Sequence, residues 1–228
     1  MTTSSINRLS FLLFLIGFST VAGQENFVGF WQPEIAINYK VNPNYSHNFS
    51  IAQRNFIYEN EDVTLKTRQL DLVHFSRLKI RDNQSIGAGI LYRFRNVFEE
   101  EENELRFTQQ FNGTYKPRNI RFGHRLRTEQ RITPLRTTHR FRYRFAIDFP
   151  LQGEKLDVGE CYFIGTTESL LSVSKSNTPQ YDQRFVLNLG WLLNTNMKLQ
   201  TGLEYRFEDY AQETENVFFI LSSLILTL

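Results

Sequence analysis

The most concentrated chemistry in this sequence is arginine recurring at alternate positions. Arg121, Arg125, Arg127 and Arg131 share one parity over 119–133, and Arg140, Arg142 and Arg144 share one over 136–150. Arg93, Arg95, Arg106 and Arg206 repeat the pattern in other segments. Glu104, Glu129 and Glu204 are carboxylates in step with them, and Asp148 and Glu208 are further candidates. A guanidinium is charged at any physiological pH and presents a planar fork that suits carboxylate or phosphate. Two outcomes follow from such a set. The arginines bridge to the carboxylates and fill an interior with ion pairs, or they leave a cationic excess that favours anions in a narrow pore or binding site.

Other chemistries have weaker support. An enzyme needs a nucleophile and a base within hydrogen-bond reach. The four histidines are His47, His74, His124 and His139, and Ser169 and Ser172 are serines near a strand end, but no spacing ties them into a triad. No His/Cys/Asp/Glu group has metal-ligand spacing. Glu99–Glu102 is a run of acids that cannot all turn toward one ion, so it reads as a solvated loop. No Gly-rich phosphate loop is present, and no cofactor is expected. A formal net charge of +2 gives no basic field for nucleic acid.

The arginines need an element that points alternate side chains the same way, and that element is a β-strand. Ile86, Ala88, Ile90, Tyr92 and Phe94 alternate with Gly87, Gly89, Leu91, Arg93 and Arg95. Phe141, Tyr143, Phe145, Ile147 and Phe149 alternate with Arg140, Arg142, Arg144, Ala146 and Asp148. Helical spacing of apolar residues does not recur. Strands are expected over about 28–41, 45–59, 63–80, 84–98, 103–117, 119–133, 136–150, 156–173, 183–194, 196–209 and 214–228. In 63–80 the apolar residues change face at Leu70, Leu72, Val73 and Phe75, which points to a bulge.

These strands suggest one antiparallel up-and-down barrel in the outer membrane of a Gram-negative cell, with aromatic residues toward lipid and charges inside. A Lys or Arg facing lipid at mid-depth costs about 2–4 kcal/mol. The chain carries 21 Phe and 10 Tyr, a load a barrel can display outward. Tight turns (42–44, 82–83, 118–119, 152–154, 194–196) are expected to alternate with longer polar links (59–62, 99–103, 133–136, 175–182, 209–214), as in such barrels. Bacterial single-chain barrels have even strand numbers, so ten to twelve strands are expected, with twelve favoured. An additional short strand over Asn26–Gln32 or a split of 156–173 would supply the twelfth.

Residues 1–23 read as a cleaved secretory signal, and 24–228 as the barrel. Arg8 precedes the apolar run Phe11–Phe18, which is too short to span a bilayer, and Val21-Ala22-Gly23 suits cleavage. Cys161 is the chain's one cysteine and reads as a small strand residue. The closing segment 214–228 resembles an assembly signal, so the bilayer and the outer-membrane assembly machinery are the expected partners. Alternation alone does not say which face is inside. The rival is a soluble, lipocalin-like periplasmic barrel with aromatics inside; an outer-membrane lipid-modifying enzyme is a further alternative.

Several segments, taken in order, carry a family resemblance. A first strand containing Phe30-Trp31 is followed by an Asn-containing turn. Then come Gly87-Ala88-Gly89-Ile90-Leu91-Tyr92-Arg93-Phe94-Arg95 and His139-Arg140-Phe141-Arg142-Tyr143-Arg144. Leu203-Glu204-Tyr205-Arg206-Phe207 and a hydrophobic last strand end the chain. This order resembles the bacterial outer-membrane barrel family catalogued as domain of unknown function 2490. The resemblance implies a single barrel domain and no established activity.

Overall fold

The computed structural model describes residues 27–175 and 177–228. The expected export signal, 1–23, lies outside the described residues. Among the described residues eleven strands form: β1 (Phe27–Lys40), β2 (Tyr45–Glu59), β3 (Asp62–Arg81), β4 (Gln84–Phe94), β5 (Glu104–Tyr115), β6 (Arg121–Ile132), β7 (Thr137–Pro150), β8 (Cys161–Ser174), β9 (Asn177–Asn194), β10 (Met197–Glu208) and β11 (Glu215–Thr227). Each pairs antiparallel with the next, and β1 pairs with β11 to close a barrel. Strand number lies between the eight that side chains fill and the sixteen that leave an aqueous channel.

The closing pair is parallel, from Phe27 opposite Asn216 to Asn38 opposite Thr227. This follows from topology, because in an odd-numbered up-and-down barrel the first and last strands run the same way. The count lies within the expected ten to twelve and one below the favoured twelve. That preference rested on antiparallel closure, which this chain does not use. Phe27–Gln32 is the start of β1, and β8 is one strand. On the outer face the Trp31 indole donates to Ser222 Oγ at 3.1 Å across the seam. At one end Leu228 donates to Asn38 O and accepts from Lys40 N at 2.8 and 3.0 Å.

One rim carries connections 41–44, 82–83, 116–120, 151–160 and 195–196 together with Leu228; we call it the C-rim. The opposite N-rim carries Phe27 and connections 60–61, 95–103, 133–136, 175–176 and 209–214. The expected segregation of tight turns from long links therefore does not occur. The longest connection, 151–160, lies among the tight turns, and two tight turns lie on the N-rim. Asn60 and Glu61 make one of them with φ of 52° and 68°, the positive pair that a two-residue hairpin turn requires. The other exists because β9 begins at Asn177. Polar residues that resemble a link, such as Gln180 and Asp182, belong to a strand and pair with Ser172 and Leu170.

Alternation sets the two faces as expected. Ile35, Phe49, Ile51, Leu126, Phe141 and Leu187 are exposed on the outer wall. Arg93, Arg106, Glu129, Arg184, Glu204 and Arg206 are buried inside. The inverted arrangement, with aromatics inside and arginines outside, is thus not the one this chain adopts.

The bulge in β3 also differs from the expectation. Arg54 of β2 faces Gln69 and Asn55 faces Thr67, so Arg68 is the extra residue. Val73 and Phe75 break the apolar pattern because they line the interior. Phe75 fits there because Gly87 and Gly89 on β4 leave its ring room, and a Cβ at either would collide with it.

Gly89→Val is accordingly expected to destabilise the barrel by about 1–3 kcal/mol through overpacking. Gly113→Val, on β5 with only Phe111 near, should stay within about 0.5 kcal/mol. Denaturant unfolding of both variants compares them; equal costs would contradict this packing.

Candidate functional site

Residues two apart on a strand share a face, so Glu104/Arg106, Asp182/Arg184 and Glu204/Arg206 each place opposite charges side by side. Cross-strand pairing links these local pairs into a belt. On β3 and β4, Asp71 accepts from Arg93 Nε at 2.7 Å and Nη2 at 2.6 Å, a bidentate fork. Glu104 accepts from Arg106 and lies 3.8 Å from Arg131. Glu129 accepts from Arg142 Nη1 at 2.6 Å, and Glu168 accepts from Arg142 Nη2 at 2.5 Å. Glu129 is also 3.6 Å from both Arg127 and Arg131. Asp182 lies 3.6 Å from Arg140 and 3.5 Å from Arg184, and Arg206 donates to Glu204 at 2.6 Å and Glu208 at 3.3 Å.

The belt is charged from β3 to β10 and aromatic across the seam. Phe30 of β1 stacks on Phe219 of β11 at 5.0 Å and packs on Phe56 of β2 at 4.8 Å. Val217 joins this small apolar cluster. Guanidiniums join the two arcs. Arg206 lies 3.9 Å from the Phe219 ring, Arg54 lies 4.9 Å from it, and Arg68 lies over Phe30 and Phe56. Stacking of this kind is worth more when desolvated, and Phe30 and Phe219 are almost wholly buried.

The interior holds a cavity of about 1300 Å³ whose lining runs from the C-rim through belt residues such as Arg93, Arg106, Glu129 and Arg142 to Arg68 and Arg95. Above the belt, Lys40, Arg77, Arg121, Arg125, Arg127, Arg144 and Lys198 line it, against Glu34, Asp148 and Glu154. Along β6 the side-chain exposure falls from 54% at Arg121 through 21% at Arg127 to 3% at Glu129, with Arg131 beyond it at 17%. On the N-rim side it rises again, to 27% at Arg68.

The N-rim has its own cover. In connection 95–103, Glu99 pairs with Lys66 at 2.8 Å, and Glu101 pairs with Arg68 at 2.9 Å and Arg95 at 2.8 Å. Asn103 Oδ1 accepts from the backbone N–H of Arg95 and Asn96. Two members of the acidic run are therefore tied down, where a wholly solvated loop was expected. Burial pushes the Glu101 carboxyl up, but the Arg68 and Arg95 charges outweigh it and hold the group below the usual carboxylate range.

All thirteen interior charges expected from the sequence are inside. Arg93, Glu104, Arg106, Glu129, Arg140, Arg142, Glu204 and Arg206 belong to the belt, and Arg121, Arg125, Arg127 and Arg144 to the cavity above it. Arg95 lies just past β4 toward the N-rim. Sequence reasoning missed Arg54, Arg68, Asp71, Glu168, Asp182 and Arg184. Asp182 and Arg184 carry the same two-residue signal as Glu204 and Arg206 and were legible. Arg68 was hidden by the bulge.

The histidines and serines arrange differently from the sequence's suggestion. Ser172 Oγ accepts from Arg140 inside the barrel, and Ser169 donates to Gln183 on the outer wall. His124 lies 2.8 Å from the Tyr143 hydroxyl on the outer wall. Ser76 Oγ is 3.1 Å from His47 Nδ1, which is also 3.1 Å from His74 Nε2, with Tyr45 OH 3.4 Å from Ser76. No carboxylate contacts this group among the described residues.

Glu129 holds the most guanidiniums, so Glu129→Gln should cost about 3–5 kcal/mol by leaving buried charge uncompensated. Asp148→Asn breaks only the half-exposed Arg121 pair and should cost about 1 kcal/mol or less. Urea unfolding midpoints measure both; comparable losses would show that the belt is not the strained element.

A family model described as a protein of unknown function, DUF2490, matches residues 28–217. No curated protein matches the chain. The matched span runs from β1 into the first residues of β11 and so takes in every charged member of the belt, stopping two residues short of Phe219. The chain is a member of the DUF2490 family of proteins of unknown function.

Proposed function

We propose that this protein is an exported outer-membrane barrel whose interior is a blind, cation-lined vestibule that holds small anions without conducting them. The observation that carries this reading is the burial profile of the interior. Residues that line a conducting path are wetted along its whole length, whereas here Glu129, Asp182 and Phe219 are almost inaccessible and exposure rises on either side of them. The apolar outer wall supports the membrane location, since lipid leaves no alternative to a closed barrel for a strand-built span. Strands of 11 to 20 residues meet or exceed the ~9–11 needed to cross a bilayer. The bilayer and, through β11, the outer-membrane assembly machinery are the proposed partners.

Two measurements test the reading. The folded barrel should migrate faster than the boiled chain in detergent gels, and it should stay in the membrane fraction in high salt. Reconstituted into planar bilayers, it should give no current steps above leak. Release by salt alone would refute the membrane placement, and reproducible anion-selective steps would refute the blind interior.

A second reading, a lipid-modifying hydrolase, draws on the Ser76–His47 contact on the outer wall near the C-rim. A serine hydroxyl beside an imidazole is the minimum for nucleophilic catalysis. Labelling of Ser76 by a fluorophosphonate probe, abolished in His47→Ala, is the result this reading expects. An unlabelled wild-type protein would leave the group as an ordinary hydrogen-bonded cluster.

A further inference from the structure

We infer that Arg125 and Arg144 form a binding site for a phosphate-class oxyanion entering from the C-rim, which rests on the blind-vestibule reading above. These two arginines face each other directly across β6 and β7. Opposed side chains in an antiparallel pair have Cβ atoms about 4.5–5.5 Å apart, and like charges there repel. The neighbouring opposed pair, Arg127 and Arg142, is neutralised by Glu129 and Glu168. Arg125 and Arg144 have no such relief, because neither has a carboxylate within 4 Å among the described residues. Glu168 stands opposite Arg144 on β8, but its bond goes to Arg142. Asp148 is taken by Arg121.

Hydrogen bonding leaves the same gap. Arg125 lines the cavity and donates from Nε to Asn112 Oδ1 at 3.0 Å, which leaves its two terminal nitrogens without a hydrogen bond to the described residues. The Arg144 side chain makes no hydrogen bond to the described residues. Two guanidinium forks at cross-strand spacing present paired N–H donors and two positive charges. A phosphate or phosphate monoester has the charge and the oxygens to bridge them. A single carboxylate would neutralise only one. Both side chains point into the lumen and away from the outer wall, so the anion comes from solution and not from a lipid headgroup.

The floor beneath the pair is built as well. Arg127 donates from Nε and Nη2 to Gln110 Oε1 and lies 6.0 Å from the Phe75 ring, which rests on Gly87 and Gly89. Arg127 is thereby held below Arg125 instead of folding up against the pair and filling the site.

The test uses the full barrel in a detergent without phosphate groups, titrated with inorganic phosphate at constant ionic strength against chloride. Phosphate should raise the thermal midpoint and bind with measurable heat. Arg144→Gln should lower phosphate affinity tenfold or more, the scale of one charge-assisted hydrogen bond lost. Without phosphate, Arg144→Gln should unfold no earlier than the wild type, because it relieves repulsion. Lys66→Gln, which removes a cation at the opposite rim already paired with Glu99, should leave the phosphate response intact. If Arg144→Gln fails to fold, Arg144→Lys keeps the charge without the fork and should still weaken phosphate binding. Phosphate no more effective than chloride, or a response that survives Arg144→Gln and Arg144→Lys, would overturn the site. Gel migration and bilayer silence of the same samples report separately on the barrel itself.

Discussion

A charge taken out of water must be paired, and that requirement organises the interior of this barrel. Removing a carboxylate or guanidinium from solvent costs several kcal/mol after relaxation. Glu129 meets this with three guanidiniums, those of Arg142, Arg127 and Arg131, whereas Asp71 meets it with the bidentate fork of one, Arg93. Such pairing demands a fixed register. A one-residue slip between β3 and β4 would turn Asp71 away from Arg93, and one between β6 and β7 would turn Glu129 away from Arg142. The belt therefore specifies the barrel more than it stabilises it.

The seam shows why the belt is not uniform. Parallel closure places β1 and β11 side by side where neither has a hairpin turn to hold its register. Phe30, Phe56 and Phe219 meet there instead, with guanidiniums over their faces. An apolar contact tolerates small shifts in register that a bidentate ion pair does not. On the outer face the Trp31–Ser222 bond and the ties at Leu228 then select one register. Odd strand number also sends Phe27 and Leu228 to opposite rims. The even-number expectation concerned how such barrels usually close, not anything in these residues, and so it did not apply here.

Alternation was legible because it is a local consequence of the strand, and eleven periodic segments became eleven strands. Facing was legible too, since 121–131 and 140–148 each carry one charged parity. What failed was anything that depends on a neighbouring strand. Asp182 fell in the expected link 175–182 because Gln180 and Asp182 are polar; only its pairing with β8 makes it strand. The bulge at Arg68 is set by β2, so Val73 and Phe75 looked like the irregularity when they simply faced inward. The Arg125–Arg144 pair was visible as two arginines, but its lack of a carboxylate was not. That depends on Glu168 choosing Arg142, a competition that no single strand encodes.

Why that competition goes one way is a matter of geometry. Glu168 stands opposite both Arg144 on β7 and Arg184 on β9, and Arg142 lies diagonally on its side of the barrel. Choosing Arg142 lets one guanidinium bridge Glu129 and Glu168, which joins β6, β7 and β8 in a single hydrogen-bonded run. Choosing Arg144 would satisfy the same carboxylate but leave Arg142 attached on one side only, deeper in the barrel where unpaired charge costs more. Arg144 is left near the wide, wetter end, where water or an anion can serve it. Burial depth thus sorts the arginines into those that hold the wall together and those that remain available to a ligand.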